Sequence, residues 1–478
     1  MSAKDRPKVV VAGAGGSIGA ALCRDLAGEC DIVALVGSKE RVPETETNPF
    51  LSWRYCELFS RQDVEKAIAD CDYIIYLVHT RIPTARLDQT ECENMDLLIA
   101  ANFARAASLK GIKQIIYLGS LIPEVNSSSE FIERRNEVIE ALSNYGTPLT
   151  VIRAGLVVAP GSNAVRLLAN IATRLPIVLI PRWADKRKQP IAVTDVIRAI
   201  RYCLGKQQTY GKDYDIGGPL VLTFRDMLHR ASISLKKKQI VITVPYFTAR
   251  LYAWYLRLLD WHAHPALIKL FVEALGHDLV ARNNPLQQYI AEKSVMPREM
   301  IDPYFKKYGS IPPNPRLPFL KKYVADLRSK SNVRSIQRVV LPKDHNATWV
   351  ADTFFQWLPH FARPFVLCKL DDTGTWRIFS RFPKLHLLTL SFQQKHSSLD
   401  RRMYFIAGGL LSRGHDELKP RFEFRDVLNS RYTIAAIHDF RPQMPWGLYV
   451  LTQAVIHLIA MRTFQKYITK KDVITKSI

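Results

Sequence analysis

Residues 8–19 read Lys8-Val9-Val10-Val11-Ala12-Gly13-Ala14-Gly15-Gly16-Ser17-Ile18-Gly19. An apolar, β-branched run meets a glycine turn and passes into a segment with helical spacing, Ile18–Leu26. Gly13, Gly16 and Gly19 form G-x-x-G-x-x-G at that junction. The first glycine allows a tight turn, the second lets the backbone approach a pyrophosphate, and the third lets the helix pack on its strand. A helix N-terminus there presents unbonded N–H groups and a partial positive charge, which suits phosphate. Gly13, Gly15, Gly16, Ser17, Ile18 and Gly19 are therefore the candidate nucleotide-binding residues. A glycine-rich turn without a ligand is the competing reading; the position at the first strand–helix junction favours the nucleotide.

Outward from this turn, apolar runs alternate with helical patterns. Strands are expected at Lys8–Ala12, Ile32–Val36, Tyr73–Val78, Gln114–Leu118 and Leu149–Arg153. Helices are expected at Ile18–Leu26, Asp63–Ile68, Met95–Ser108 and Phe131–Leu142. Continuous apolar strands separated by helices imply a parallel sheet buried on both faces, an α/β doubly wound Rossmann domain. The second strand ends Val36-Gly37-Ser38-Lys39-Glu40-Arg41. NAD-binding folds often carry an acid at this tip to hold the ribose. Here Ser38, Lys39 and Arg41 suit a 2′-phosphate, so NADP is preferred, and Glu40 keeps NAD open.

The remainder divides into two further segments. Residues 236–330 hold an aromatic helical stretch, Tyr246 to Trp261, ending near His264–Pro265, and a linker at about 311–330 where Pro312, Pro313, Pro315 and Pro318 exclude regular structure. Residues 331–478 read as a strand at Val333–Leu341, a helix at Ala347–Leu358, six further strands between Phe365 and Phe440, and one long helix, Pro445–Ile468. That order suggests an α+β module with an antiparallel sheet wrapped on a helix. The domain expectation is thus 1–235, 236–330 and 331–478.

The 478 residues carry a net charge of +23. Residues 1–150 have 16 basic and 21 acidic side chains; 151–330 have 29 and 12, and 331–478 have 22 and 11. An acidic first third and a basic remainder point to separate modules and to an anionic partner for the latter. No zinc-knuckle, RNP-type or basic-helix pattern is visible, which argues against nucleic acid. Seven scattered cysteines without a C-x-x-C pair argue against a disulfide framework and for a reducing, cytoplasmic setting. The stretch before Lys8 lacks the apolar core of a signal peptide. His262-Ala263-His264 has metal-like alternation but no Cys or acidic neighbour, so no metal is expected. Residues 442–461 are uncharged. Pro442 and Pro445, with Gln453 and His457 on one face, favour a helix packed across a sheet with its polar stripe toward solvent or a cavity. A membrane-seated helix flanked by Arg462, Lys466, Lys470 and Lys471 is the alternative, so peripheral membrane contact stays open.

The ordered set of the glycine turn, Asp72–His79, Ile112–Ser120, Arg153-Ala154-Gly155 with Pro160-Gly161, Pro190–Val196 and Tyr214–Pro219 resembles the atypical short-chain dehydrogenases/reductases, in particular the NmrA-like branch. The resemblance covers about 1–235. With Pro181-Arg182-Trp183 and Gly276-His277-Asp278, the chain is similar to bacterial proteins that pair this domain with a START-like, helix-grip C-terminal domain. The resemblance implies a nicotinamide cofactor and Ser, Tyr and Lys as hydride-transfer machinery, the Lys four residues after the Tyr lowering its pKa. Ser120 stands at the expected strand end. The Tyr-x-x-x-Lys window, however, reads Phe131-Ile132-Glu133-Arg134-Arg135. Phe131 cannot move a proton and Arg135 is a fixed charge that could hold ribose or phosphate. Ser120 and His79, which ends the fourth strand, are the catalytic candidates; Arg182 and Trp183 are the substrate-side candidates, suited to an anion and a flat ring. Each has a structural reading beside it: a strand-end cap, a packing histidine, a cation–π pair. Two functions follow: an oxidoreductase acting on an apolar carbonyl or quinone-like small molecule, or a non-catalytic nucleotide-sensing or assembly protein.

Overall fold

Val9, Val10, Val11 and Ala12 have no exposed surface, as a strand covered on both faces requires. The structure, a computed structural model, describes residues 6–80, 85–90, 92–123, 130–159, 161–259, 265–294, 332–413 and 420–475. The first strands are β1 (Lys8–Ala12), β2 (Asp31–Val36), β3 (Leu51–Tyr55), β4 (Tyr73–Tyr76), β5 (Leu87–Gln89), β6 (Gln114–Ser120) and β7 (Leu149–Ala154); the first helices are α1 (Ser17–Leu26), α2 (Arg61–Ala67), α3 (Cys92–Lys110) and α4 (Glu130–Ser143). Two compact units emerge: Met1–Arg81 with Ile99–Leu317, and Ile82–Leu98 with Pro318–Ile478.

In the first unit the strand Asp213–Ile216 precedes β7, β6, β4, β1, β2 and β3 in one seven-stranded parallel sheet. Strand order reverses between β1 and β4, and ligands of open α/β sheets bind beyond the carboxyl ends of the strands at such a reversal. The doubly wound Rossmann reading is met. Two strands escape it. β3 is an edge strand in which only Leu51 is buried, so it lacks a continuous apolar run, and β5 is three residues long. β4 stops at Tyr76, which leaves His79 in the loop beyond the strand and not at its end.

A second apolar cluster in this unit joins Tyr252, Leu256 and Leu259 to Leu167, Ile171, Phe224 and Val272. Tyr252 and Leu256 lie on the inner face of the helix Ala249–Leu259, which is shorter than the expected aromatic stretch. The linker at about 311–330, His262, His264 and Pro160 lie outside the described residues.

The second unit is built on an eight-stranded mixed sheet. Val366–Leu370, Trp376–Ser380, His386–Phe392, Arg401–Gly408, Arg421–Val427, Tyr432–Phe440 and Val333–Val340 run antiparallel, and β5 adds in parallel to Val333–Val340. The helix Ala347–Phe361 packs on one face, Phe355 stacking on Trp376 and Phe354 meeting Phe422 and Phe424. Asn346 caps this helix by accepting from Trp349 N at 3.1 Å. The expected single helix Pro445–Ile468 is instead two, Trp446–Leu451 and Gln453–Thr475, because Thr452 takes φ −121°, ψ −82°. Of the two directions expected for its polar stripe, solvent or the interior, His457 takes the interior: its Nε2 hydrogen-bonds Ser335 Oγ at 3.0 Å, on the sheet side of the unit.

Candidate nucleotide site

The glycine turn is a backbone cradle whose spacing is set by contacts that a side chain would violate. Gly13 has φ +93°, a conformation that favours glycine, and a Cβ there would meet Leu77 O, just past β4, at 3.0 Å. At Gly19 a Cβ would lie 2.4 Å from Gly13 O and 2.7 Å from Ala14 Cα, so α1 packs on the turn only without one. Gly16 is the N-cap of α1, its own N–H donating to Gly13 O at 2.9 Å. The first turn of α1 contains no acidic residue, which leaves its partial positive charge uncancelled. These observations fit a pyrophosphate against Gly13–Gly19, with Gly15, Gly16, Ser17 and Ile18 at the mouth.

Beside the cradle, the end of β2 turns back in a short helix, Lys39–Arg41, whose Arg41 N donates to Ser38 O at 3.2 Å. Arg41 lies across Gly15: a Cβ on Gly15 would stand 3.2 Å from Arg41 Cδ and 3.4 Å from one guanidinium nitrogen. Ser38 is buried. Lys39 is exposed, with its ammonium 5.6 Å from the Tyr55 ring centroid. The Glu40 side chain lies outside what is described.

Toward the other end of the crevice, Ser120 is the last residue of β6 and pairs with Ala154 of β7. Arg135, in the second turn of α4, donates from Nε to Ser120 Oγ at 2.5 Å. The two residues singled out in the sequence therefore meet. Phe131 sits one turn earlier on the α4 backbone. His79 is exposed and approaches Tyr117 edge-on at 6.3 Å between centroids.

Trp183 is tied into the second apolar cluster. Its indole Nε1 donates to Phe247 O at 2.6 Å, its ring meets Tyr252 edge-on, and Gly276 lies beneath it. Arg182 beside it is exposed.

Two groups the sequence did not single out lie together, Lys188 and His277. Lys188 is 5% exposed, yet its Nζ donates to the carbonyls of Leu275 at 3.2 Å and His277 at 2.6 Å. Burial pulls its pKa down to about 8. Burial also lowers the half-buried His277, against the pull of Glu273, and the charges of Lys188 and Arg135 lower it further. His277 stood in a quoted motif, Gly276-His277-Asp278, but its acidity is set first by burial in the fold, with Lys188 and Arg135 adding from far away in sequence. Among the described residues no group of three His, Cys, Asp or Glu side chains is arranged to hold a metal ion.

Other resemblance motifs carry structure. A Cβ on Gly155 would stand 1.8 Å from Gln189 O, and one on Gly218 2.2 Å from Pro190 O. Buried Asp215 accepts from Arg282 Nε at 2.6 Å and Nη2 at 2.9 Å. Buried Asp195 accepts from Ser294 Oγ at 2.6 Å.

Residues 13–154 match the NAD(P)H-binding family. The auxiliary protein GraX of Staphylococcus aureus is 28% identical over 145 residues, 30% of this chain and 43% of that protein, so the chain spans less than half the length of this curated relative. Among solved structures, the triphenylmethane reductase of Citrobacter sp. complexed with NADP(H) aligns with a TM-score of 0.50 at 15% identity, covering 62% of this chain and 99% of that one. A nucleoside-diphosphate-sugar epimerase of Staphylococcus aureus aligns with a TM-score of 0.49 at 16% identity, over 62% and 99% of the two chains. The first unit is a Rossmann-like α/β fold whose residues 13–154 match an NAD(P)H-binding family.

Proposed function

We propose that the chain binds NADP(H) at the glycine turn and acts as an oxidoreductase-like protein on an apolar carbonyl or quinone-like compound, without a Tyr/Lys pair. The observation that carries this reading is the Arg135–Ser120 hydrogen bond at the carboxyl end of β6, one strand from β4 and the order reversal. Gly13, Gly16 and Gly19 would hold the pyrophosphate and Arg41 the 2′-phosphate. The chemistry supplied there by a bound nicotinamide is hydride transfer. Ser120 and Arg135 can donate hydrogen bonds to a substrate oxygen that gains negative charge. Arg135 cannot release a proton at neutral pH, so the proton falls to a histidine, and His79 is our assignment. Arg182, exposed beside the structural Trp183, would meet an anionic substituent. The helix laid across the antiparallel sheet of the second unit supports the START-like reading, a module that encloses an apolar ligand.

The setting we assign is cytoplasmic and reducing. Five of the six described free cysteines are buried, and burial raises thiols such as Cys23 and Cys203 to about 12, which keeps them inert. A second reading, a nucleotide-sensing or assembly protein without turnover, is favoured by Phe131 in place of the proton donor. The similarity to a protein named auxiliary supports it too.

The test is calorimetric titration of the full chain with NADPH and NADH, followed by turnover of a panel of apolar aldehydes, ketones and quinones. Tighter NADPH binding with slow turnover that Ser120→Ala removes is expected. Absence of binding overturns both readings. Binding without turnover, together with a nucleotide-dependent change in affinity for a fatty-acid probe, selects the second.

A further inference from the structure

The last two helices of the second unit are apolar on both faces. An amphipathic helix of a soluble module places apolar side chains inward and polar ones outward. Here the inward side holds polar ties: His457 to Ser335 Oγ at 3.0 Å, and the Ala454 carbonyl accepting from Gln89 Nε2 at 2.9 Å. Ala454, Ala460, Met461, Phe464 and Ile468 complete that inner face. Outward stand Leu448, Leu451, Val455, Ile456 and Ile459, exposed by 53%, 78%, 44%, 61% and 50%. The spacing from Leu448 through Leu451, Val455 and Ile459 follows one stripe, and Arg462 and Lys466 extend it, both exposed.

We propose that this stripe seats in the surface of an anionic lipid bilayer, lying in its plane. The region Trp446–Lys470 is long and apolar enough to cross a membrane by composition. Lying in the plane fits better than crossing, because one face is already committed to the unit's own core and Thr452 leaves helical geometry between the two helices. A helix with one face packed and the other apolar, followed by basic residues, suits the boundary between headgroups and acyl chains. Charge selects the lipid over a second copy. Arg462, Lys466 and Lys470 sit at the end of the stripe, and the chain carries +23 overall, which repels its own copies and is drawn to anionic headgroups.

The experiment is co-sedimentation of the full-length protein with vesicles of phosphatidylcholine containing 30% phosphatidylglycerol, against pure phosphatidylcholine. Binding to the anionic vesicles that falls as salt rises is expected. Leu451→Ser with Ile456→Ser should weaken it about tenfold or more, with an unchanged near-ultraviolet dichroism spectrum showing that the unit still folds. Lys466→Glu should reduce binding to anionic vesicles only. Three outcomes overturn the proposal: no binding by the wild type, a double variant that binds like it, or a wild-type dimer on gel filtration that the double variant dissolves. Loss of binding on Trp254→Ser, a change in the exposed face of the helix Ala249–Leu259, with the double variant unaffected, overturns it in favour of that other face.

Discussion

Arg41 lies beside the glycine turn, where we propose that cofactor choice is made. Its side chain crosses Gly15 at van der Waals distance from the glycine turn, so a 2′-phosphate on the adenosine ribose would meet a guanidinium already in place. A hydrogen bond to a charged group is worth about 1.5–3 kcal/mol. Arg41→Ala should therefore weaken NADPH binding by roughly tenfold or more while leaving NADH within about twofold, measured by titration at low salt where charge contacts are least screened. Equal losses for the two cofactors reject the assignment. Gly16→Asp probes the cradle itself, because it sets a carboxylate against the pyrophosphate; binding of both cofactors should disappear. At the other end of the crevice, the missing tyrosine forfeits an acid–base step commonly worth about 100- to 10,000-fold. Phe131→Tyr with Arg135→Lys should raise turnover of generic carbonyl substrates, and His79→Ala should lower the wild-type rate. A wild type with ordinary dehydrogenase rates that His79→Ala does not change contradicts both halves.

At the scale of elements, the second unit's sheet hides a charged network that its sequence does not advertise. Glu423, on Arg421–Val427, is fully buried and receives Arg401 Nη2 at 2.5 Å, Arg401 Nε at 2.8 Å and Arg425 Nη2 at 3.3 Å, with His438 Nε2 3.4 Å from its other oxygen. Burial pushes this carboxyl up, but Arg401 and Arg425 override it and hold it ionised. Glu423→Gln leaves buried guanidinium groups without their anion, and a loss of about 3–5 kcal/mol in the stability of this unit is expected from denaturant unfolding. His438 supplies a pH signature. Burial, reinforced by Arg421, lowers its pKa to about 3. The folded state thus keeps it neutral while the unfolded state takes a proton below 6.5. The contribution of His438 is full above about 6.5 and falls as pH drops, and Glu423 loses its own only below its ordinary 4.5; between these, His457, lowered by burial to about 4, acts in the same direction and Asp426, raised by burial to about 6, in the opposite one. Over those two pH units one such group is worth roughly 2–3 kcal/mol, so His438→Gln should flatten the unfolding free energy there by that amount. Elements of this kind mark where sequence reading stops. Buried parallel strands such as β1 and β6 were legible because a continuous apolar run has one reading, and the six strands expected between Phe365 and Phe440 all formed. Arg421, Glu423 and Arg425 alternate with Phe422 and Phe424, and the alternation reads as one wet face; nothing local says that Arg401 and His438 on neighbouring strands will bury it. The glycine turn was legible because its chemistry is local in sequence. Lys188 and His277 were not, because their shifted acidities come from residues far away along the chain.

At the scale of the whole molecule, the chain's division is not a division of its sequence. Ile82–Leu98 belongs to the second unit although 220 or so residues of the first unit follow it. The reason is β5. It lies along Val333–Val340, with Val333, Arg334 and Ser335 opposite Leu87, Asp88 and Gln89. Side chains reinforce the pairing: Gln337 Nε2 donates to Gln89 O at 2.6 Å, and Gln89 Nε2 donates to Ala454 O at 2.9 Å. Arg86 stacks over Trp446 at 3.9 Å from its ring centroid. A fragment that begins at residue 318 loses all of these at once. It exposes the outer-edge N–H and C=O groups of Val333–Ser335, an edge that invites pairing with other chains, and it removes the partner that steadies the start of Gln453–Thr475. We therefore expect residues 318–478 expressed alone to unfold at lower denaturant than the same unit in the full chain, and to associate as concentration rises. A synthetic peptide of residues 82–98 added to the fragment should restore part of the lost stability and suppress the association, because it supplies the strand and both glutamine hydrogen bonds. Gln89→Ala in the full chain gives the same loss in miniature: it removes the bond to Ala454 O and leaves the backbone pairing. Equal midpoints for the fragment and the full-length unit, with no response to the peptide, would show that β5 only rests on this sheet and that the antiparallel strands hold without it.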